Sequence, residues 1–172
     1  GRCRSSWFRC APRILTEQSF WWLQTVQRMR MRISTKGRYA LQLLIDLAQH
    51  DGDEYISLKD IAERQGVSVK YLESIASTLN KAGFILSFRG KSGGYKLSKP
   101  AEEYTIGSVL KLAEGSLAPV SCLYADGGVE QCAKADTCYT LPMWQELDRI
   151  VDEYLESVTI ADLIQRNCKS SR

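Results

Sequence analysis

Apolar side chains recur at helical spacing in three consecutive segments of the N-terminal half. The first segment is apolar on more than one side and ends near His50, which predicts a largely buried helix. Ser57 is a typical cap of a short second helix that stops at Gly66, and Ser68 caps a third helix. A short helix, a glycine turn and a capped second helix form the helix-turn-helix pattern. The apolar residues expected to point inward are Tyr39, Leu41, Leu43, Leu44, Ile45, Leu47, Ala48, Tyr71, Leu72, Ile75, Ala76 and Leu79.

A short β-hairpin is predicted directly after the third helix. Residues 84–88 predict a strand, residues 89–94 a tight basic turn, and residues 95–97 the return strand before Pro100. The Gly-Lys-Ser of this turn leads into a strand and does not open a helix, which excludes a nucleotide phosphate loop. We therefore predict a mainly α fold with a small β-wing, that is, a winged helix-turn-helix.

The C-terminal part predicts three more helices. The first runs from Thr105 to about Glu114, a long one begins at Thr140 with Pro142 tolerated in its first turn, and a short one covers residues 159–166. Because a helix-turn-helix usually reads DNA as a two-fold dimer, we interpret the long helix as a dimerisation helix. The alternative is a helix packed on its own domain. The coiled-coil-like seam consists of Trp144, Leu147, Val151, Tyr154 and Val158.

Composition narrows the class of protein. The chain has 172 residues, of which 44% are apolar and 25% charged, which excludes a disordered chain. No apolar run approaches the ~18–20 residues of a membrane span, so we expect a cytoplasmic protein without membrane contact. The single histidine excludes a His-rich metal enzyme.

The net charge of +3 conceals an uneven distribution. Residues 1–30 carry six Arg and one Glu, residues 31–99 eleven basic and seven acidic residues, and residues 100–172 six basic and twelve acidic residues. A basic N-terminal part and an acidic C-terminal part indicate a module that binds a polyanion, followed by a second module with another function. We interpret 1–30 as a disordered upstream extension or cloning-derived segment, 31–100 as a DNA-binding domain, and 101–172 as a cluster-binding loop with dimerisation helices.

Basic residues fall where a winged helix would meet DNA. They favour double-stranded DNA over protein docking, which is the alternative for this fold. The N-terminal residues of the third helix are expected in the major groove, where Glu73 would accept a hydrogen bond from a cytosine amino group and add selectivity. The candidate DNA-binding residues are Arg32, Lys36, Arg38, Ser68, Lys70, Tyr71, Glu73, Ser74, Arg89 and Lys91.

Three cysteines lie close together before the long helix. Nine residues separate Cys122 from Cys132, and five separate Cys132 from Cys138. In a chain without a secretion signal, this grouping favours metal or cluster ligation over disulfides. The spacings are wider than the usual zinc pairs and suit an iron–sulfur cluster, with zinc or redox-active thiols as alternatives. Cys3, Cys10 and Cys168 lie in the tails and are interpreted as incidental.

Three motifs closely resemble the bacterial regulator family that includes IscR, NsrR and CymR. The resemblance covers residues 31–165, and the three loop cysteines with the Trp144 helix look most like the IscR type. It implies a homodimer that binds a 2Fe–2S cluster and a pseudo-palindromic DNA operator, with cluster occupancy changing DNA-site preference. By position, it implies DNA reading by Ser68, Lys70, Tyr71, Glu73 and Arg89. The motifs are Met31-Arg32-Ile33-Ser34-Thr35-Lys36-Gly37-Arg38-Tyr39-Ala40, Tyr71-Leu72-Glu73 and Arg89-Gly90-Lys91-Ser92-Gly93-Gly94-Tyr95.

The fourth cluster ligand is not assigned by the resemblance. Leu141 stands where IscR-type proteins have a histidine ligand, and Arg38 where some nitric-oxide-sensing relatives have an acid from the partner subunit. The first cysteine gap is also longer than the family's common spacing. The candidates are a residue of the partner subunit, a small thiol, or a carboxylate of Asp126, Glu130 or Asp136.

The sequence therefore predicts a DNA-binding repressor, not an enzyme, that an iron–sulfur cluster controls and that regulates cluster biogenesis genes. One alternative is a repressor that senses nitric oxide or thiol redox state. Another is a cysteine-metabolism regulator that acts through a protein partner, since CymR shares the opening and wing motifs. A thiol-dependent enzyme or an adaptor is a further alternative, but the chain has no Cys-x-x-Cys and no catalytic His partner.

Overall fold

The computed structural model describes residues 33–50, 52, 55–90, 93–124, 132 and 134–170. Within these ranges it contains six α-helices and a two-stranded antiparallel sheet, which confirms the predicted mainly α fold with a β-wing. The predicted N-terminal segment, 1–30, lies outside the described residues. The elements are α1 (Thr35–Gln49), α2 (Leu58–Gln65), α3 (Val69–Lys81), β1 (Ile85–Phe88), β2 (Gly94–Leu97), α4 (Ile106–Glu114), α5 (Leu141–Ser157) and α6 (Ile160–Ser170).

Local capping chemistry fixes the helix-turn-helix. The hydroxyl of Ser57 accepts a hydrogen bond from the N–H of Asp60 at 3.2 Å, and that of Ser68 accepts one from the N–H of Tyr71 at 3.3 Å. Each cap satisfies an N–H group that has no partner within its helix. Gly66 ends α2 in the left-handed conformation with φ 65°, which other residues rarely adopt. These three residues set where α2 stops and α3 starts.

Helix α1 is the centre of the core and packs against α3, α4 and α6. The side chains on either side of residue 100 therefore share one core. They include Leu43, Leu44, Leu47, Leu72, Ile75, Leu79, Val109 and Ile160, each no more than 2% exposed.

A charged pair joins α1 to α2. Asp46 is 8% exposed, and its carboxylate accepts hydrogen bonds from two nitrogens of Arg64, with Nε at 3.0 Å from Oδ2. The hydrogen bond to Asp46 raises the pKa of Arg64. A fork-like guanidinium contact of this kind is directional, so it sets the angle between the two helices.

Tyr104 anchors the wing to the core. Its ring is 3% exposed, and its hydroxyl donates to the carbonyl oxygen of Phe84 at 2.7 Å. The hydroxyl oxygen of Tyr104 also accepts hydrogen bonds from the N–H groups of Ser98 and Lys99 at 3.1 and 2.9 Å. One buried side chain thus holds both the entry and the exit of the hairpin.

Helix α5 differs from the other helices because none of its residues is buried. Its exposed apolar residues are Met143, Leu147, Ile150 and Tyr154, which lie on one side at spacings of four, three and four. The predicted seam included Val158, but the structure places this residue after the last helical residue and buries it in the core. The shift arises because the carbonyl oxygen of Val158 accepts from the N–H of Ile106 at 2.8 Å. In the described part of the chain, no helix is long and apolar enough to span a membrane.

Candidate DNA interface and cysteine loop

The first turns of α3 present polar side chains to solvent. Ser68, Lys70, Glu73 and Ser74 are all exposed. The hydroxyl of Ser74 donates to the carbonyl oxygen of Tyr71 at 2.7 Å. Among the described residues, no acidic side chain lies within ion-pair distance of Lys70, so its ammonium group is available to a phosphate.

Tyr71 packs within the protein, in addition to the DNA contact that the sequence predicted for it. The side chain is half-buried, and its ring meets that of Tyr39 edge to face, with centroids 5.7 Å apart. Such a contact stabilises the seating of α3 on α1. Only the exposed part of the tyrosine can face DNA.

The wing presents Arg89 at the end of β1. Its side chain is exposed, and β1 pairs with β2 so that Phe88 stands opposite Gly94. A Cβ on Gly94 would lie 2.4 Å from the carbonyl oxygen of Ile56, so only glycine allows this close approach. The predicted contact residues Lys91 and Arg32 lie outside the described residues.

Helix α1 carries two predicted cations in different surroundings. Arg38 is exposed. Lys36 is half-buried and lines a shallow depression with Thr78 and Leu79 of α3 and Ala113 of α4. Lys36 therefore lies beside the C-terminal half of α3, whereas Ser68 lies at its opposite end.

Glu114, which the sequence reasoning missed, links α4 to the start of α1. Its Oε1 accepts hydrogen bonds from the N–H of Ser34 at 2.9 Å and from the Ser34 hydroxyl at 2.7 Å. A Cβ on Gly37 would lie 2.3 Å from the same oxygen, so Gly37 makes room for the carboxylate. A carboxylate at a helix N-terminus is favoured by the helix dipole. Nothing in the sequence of residues 34–37 indicates the contact with Glu114, which lies eighty positions away from Ser34.

The three predicted ligand cysteines lie between α4 and α5, and all three are free thiols of intermediate burial. Cys122 belongs to a single 3₁₀ turn, Ser121–Leu123. Successive backbone hydrogen bonds run from Ala135 N–H to the Cys132 oxygen at 3.0 Å, and from Cys138 N–H to the Ala135 oxygen at 3.2 Å. These two hydrogen bonds connect Cys132 to Cys138 through Ala135, shortly before α5 begins.

Cys138 has an electrostatic environment that favours the thiolate. Hydrogen bonds from the Thr140 hydroxyl, the Thr140 backbone and the Leu141 backbone lower the pKa of the thiol. Its Sγ lies 3.4 Å from Oγ1 of Thr140. A thiolate is the form that binds metals and reacts with oxidants.

The donor chemistry of the loop suits iron. Thiolates are soft ligands that hold iron–sulfur clusters. Among the residues that the structure describes, however, no three His, Cys, Asp or Glu side chains converge in a single chain. Asp126 and Glu130, two candidate fourth ligands, lie outside the described residues, and Asp136 is exposed in the turn Ala135–Thr137.

A capped helix-turn-helix with a basic wing, joined to a long amphipathic helix, defines a winged-helix transcriptional regulator rather than an enzyme. The chain belongs to the Rrf2 family, whose model, described as an iron-dependent transcriptional regulator, matches residues 33–166. This confirms the family that the sequence motifs indicated.

Known relatives agree with this assignment. The chain is 39% identical over 135 residues to protein rrf2 of Nitratidesulfovibrio vulgaris, covering 78% of this chain and 88% of the relative. It is 38% identical over 134 residues to the HTH-type transcriptional regulator IscR of Yersinia enterocolitica, covering 78% and 79%.

Two solved structures share the fold. CymR, the global cysteine regulator of B. subtilis, superposes with a TM-score of 0.65 at 36% identity, covering 78% of this chain and 97% of CymR. IscR of T. potens gives a TM-score of 0.65 at 35% identity, covering 82% and 91%.

Proposed function

We propose that this protein is a homodimeric repressor whose operator binding is controlled by an iron–sulfur cluster held by Cys122, Cys132 and Cys138. The observation that carries the proposal is the placement of three free thiols in one short segment of a winged-helix regulator. We assign DNA reading to residues 31–100, and cluster binding with dimerisation to residues 101–172. The 2Fe–2S type and the cluster-assembly target genes follow the likeness to IscR, and a regulator of such genes works in the cytoplasm.

In this proposal some residues contact the phosphates and position the protein on DNA, whereas others contact the bases and recognise the sequence. Lys70 and Arg89 are exposed cations without acidic partners among the described residues, and they suit phosphate contacts. Ser68 and Glu73 stand on the exposed part of α3, where side chains of a recognition helix meet base edges. Because a bound dimer presents two copies of α3, the operator would be pseudo-palindromic.

Exposed apolar residues on α5 support the homodimer. Leu147, Ile150 and Tyr154 are 37%, 50% and 59% exposed and belong to one stripe. A second copy of α5 could cover this stripe by knobs-into-holes packing. The partner subunit could also supply the fourth cluster ligand that this chain leaves unassigned.

Glu114 offers a physical route from cluster to DNA. It is the last residue of α4, eight positions before Cys122, and it is hydrogen-bonded to Ser34, the N-cap of α1. A bound cluster would cross-link the three cysteines and so restrain the segment between Glu114 and α5. If this restraint favours one placement of α1 and α3, the cluster binds the two placements with different free energies. The affinity for DNA then changes with cluster occupancy by that difference in free energy.

The test is anaerobic purification followed by visible absorption. We expect a coloured protein with iron and sulfide in stoichiometric amounts, and we expect Cys132→Ala to lose the colour. Cys168→Ala is the matched control, since it removes a thiol from outside the loop. Operator binding by the wild type should change when the cluster is removed, and a colourless protein with stoichiometric zinc would contradict the proposal.

A thiol-redox sensor is the second candidate, and the lowered pKa of Cys138 favours it. A sensor of this kind would be colourless and would change its operator affinity on treatment with peroxide. The change would be reversed by dithiothreitol and lost in Cys138→Ser. These outcomes separate the two functions because only one of them needs bound iron.

A further inference from the structure

Val69 is an apolar residue in an exposed position at the start of α3. It is 37% exposed, and it belongs neither to the buried core nor to the half-buried residues packed against it. Its neighbours Ser68 and Lys70 are both exposed and polar. Single exposed apolar residues are common on protein surfaces. On the helix that would enter the major groove, however, such a residue can contact an apolar group of the DNA.

Val69 lies on the same side of α3 as Glu73, which we propose contacts a base. The two residues are four positions apart, so they lie on the same flank of α3, and both are exposed. Leu72, Ile75 and Leu79 define the buried side of the helix. Val69 therefore lies on the flank that carries Glu73, one turn nearer the N-terminus.

The chemistry of Val69 restricts what it can recognise. The side chain has no hydrogen-bonding group, so it can contact neither phosphate oxygens nor polar base edges favourably. In the major groove, the only apolar group that distinguishes one base from the others is the 5-methyl group of thymine. Two branched methyl groups at the first position of a recognition helix suit that contact.

We propose that Val69 contacts the methyl group of a thymine in the operator and sets the preference for thymine at that base pair. The proposal rests on the DNA binding proposed above and deepens it. One helical turn rises about 5.4 Å, and DNA rises about 3.4 Å per base pair. The thymine therefore lies one or two base pairs from the cytosine that Glu73 would read.

The test is a mutant cycle between protein and DNA. The probe is the duplex that the wild-type protein selects from a randomised pool, with each thymine replaced in turn by deoxyuridine, which lacks only the methyl group. We expect one thymine in each half-site at which the wild type loses about fourfold in affinity, the value of a single buried methyl group. Val69→Ala should bind the thymine and uracil duplexes equally at that position.

Leu86→Ala is the matched control, because Leu86 is an apolar wing residue that is 48% exposed. It should retain the full thymine-to-uracil ratio. Circular dichroism melting should show that Val69→Ala is folded like the wild type.

The possible outcomes separate this inference from the proposed function. If no thymine is sensitive to methyl removal, or if Val69→Ala retains the ratio, the inference is overturned while salt-dependent operator binding still supports the repressor. If the wild type selects no duplex at all, the DNA-binding function fails and this inference fails with it.

Discussion

Helices α3 and α5 are both amphipathic, but only α3 has its apolar side covered within one chain. Leu72 and Leu79 of α3 are 0% and 2% exposed, whereas Leu147 and Ile150 of α5 are 37% and 50% exposed. The apolar side of α3 is thus buried within one chain, and that of α5 is not. In the proposed dimer, a second copy of the chain would cover the apolar side of α5.

The most direct test of this comparison is to replace one leucine by alanine in each of the two helices. Leu72→Ala should lower the free energy of unfolding by about 2–5 kcal/mol, because it leaves a cavity in a close-packed core. Leu147→Ala should have a concentration-dependent effect that vanishes at high dilution, because a dimer contact contributes only when the dimer forms. Urea denaturation at two protein concentrations measures both.

An equal, concentration-independent loss for both variants would show that α5 is packed within its own chain. The comparison between a covered α3 and an uncovered α5 would then be wrong.

A charge on the exposed stripe of α5 should have the next largest effect. Ile150→Asp would place a carboxylate in the proposed dimer interface, and an unpaired buried charge is costly. We expect self-association to weaken by roughly 100-fold or more, measured by sedimentation equilibrium. Operator affinity should fall in parallel, since the two copies of α3 would no longer bind together.

Gln145→Asp is the control for Ile150→Asp. It adds the same charge to α5 at an exposed position off the stripe. Unchanged association in Ile150→Asp would remove this face of α5 from the dimer.

The contrast between the two regions also explains which features the sequence could predict. The helix-turn-helix is specified by signals within a few residues: the Ser57 and Ser68 caps, the Gly66 turn and the periodic apolar residues. The wing was equally predictable from its glycine-rich turn. Local patterns of this kind determine local structure, and the structure confirms these elements.

Features that depend on distant partners were not predictable. The Asp46–Arg64 pair and the Ser34–Glu114 hydrogen bonds join residues that are 18 and 80 positions apart. The predicted seam and the exposed apolar stripe of α5 share only Leu147 and Tyr154: Met143 and Ile150 stand in the stripe in place of Trp144 and Val151. Val158 drops out because a tertiary hydrogen bond holds it in the core beyond the end of the helix. For the candidate site, the sequence named residue types that suit DNA and a cluster. It could not show that Lys36 lies at the opposite end of α3 from Ser68.

The wing should contribute to DNA affinity mainly through charge. Arg89→Ala should weaken operator binding by about tenfold and reduce the slope of log K against log salt by about one, since one fewer counterion is released. Lys81→Ala is the control, because Lys81 is an exposed cation in the last turn of α3, far from its N-terminus. Fluorescence anisotropy across a salt series measures both quantities. An unchanged slope in Arg89→Ala would mean that its guanidinium contacts no phosphate.

The smallest expected effect lies at the contact between α4 and α5. Glu156 accepts hydrogen bonds from the Thr105 hydroxyl at 2.6 Å and from Lys111 Nζ at 2.9 Å, and these bonds lower the pKa of its carboxyl group. A folded-state pKa below the ordinary 4.5 stabilises the protein above that pH, and the contribution is lost as the pH falls through the folded-state value.

Glu156→Gln should therefore lower the free energy of unfolding at pH 7 by less than about 1 kcal/mol, since the pair is partly exposed to solvent. The difference from the wild type should shrink as the pH falls below 4.5. Glu153→Gln is the control, because Glu153 pairs with Arg149 of the same helix. Urea denaturation at several pH values measures the difference. A constant difference across this range would show that Glu156 joins α5 to α4 by packing over Gly107 rather than by its charge.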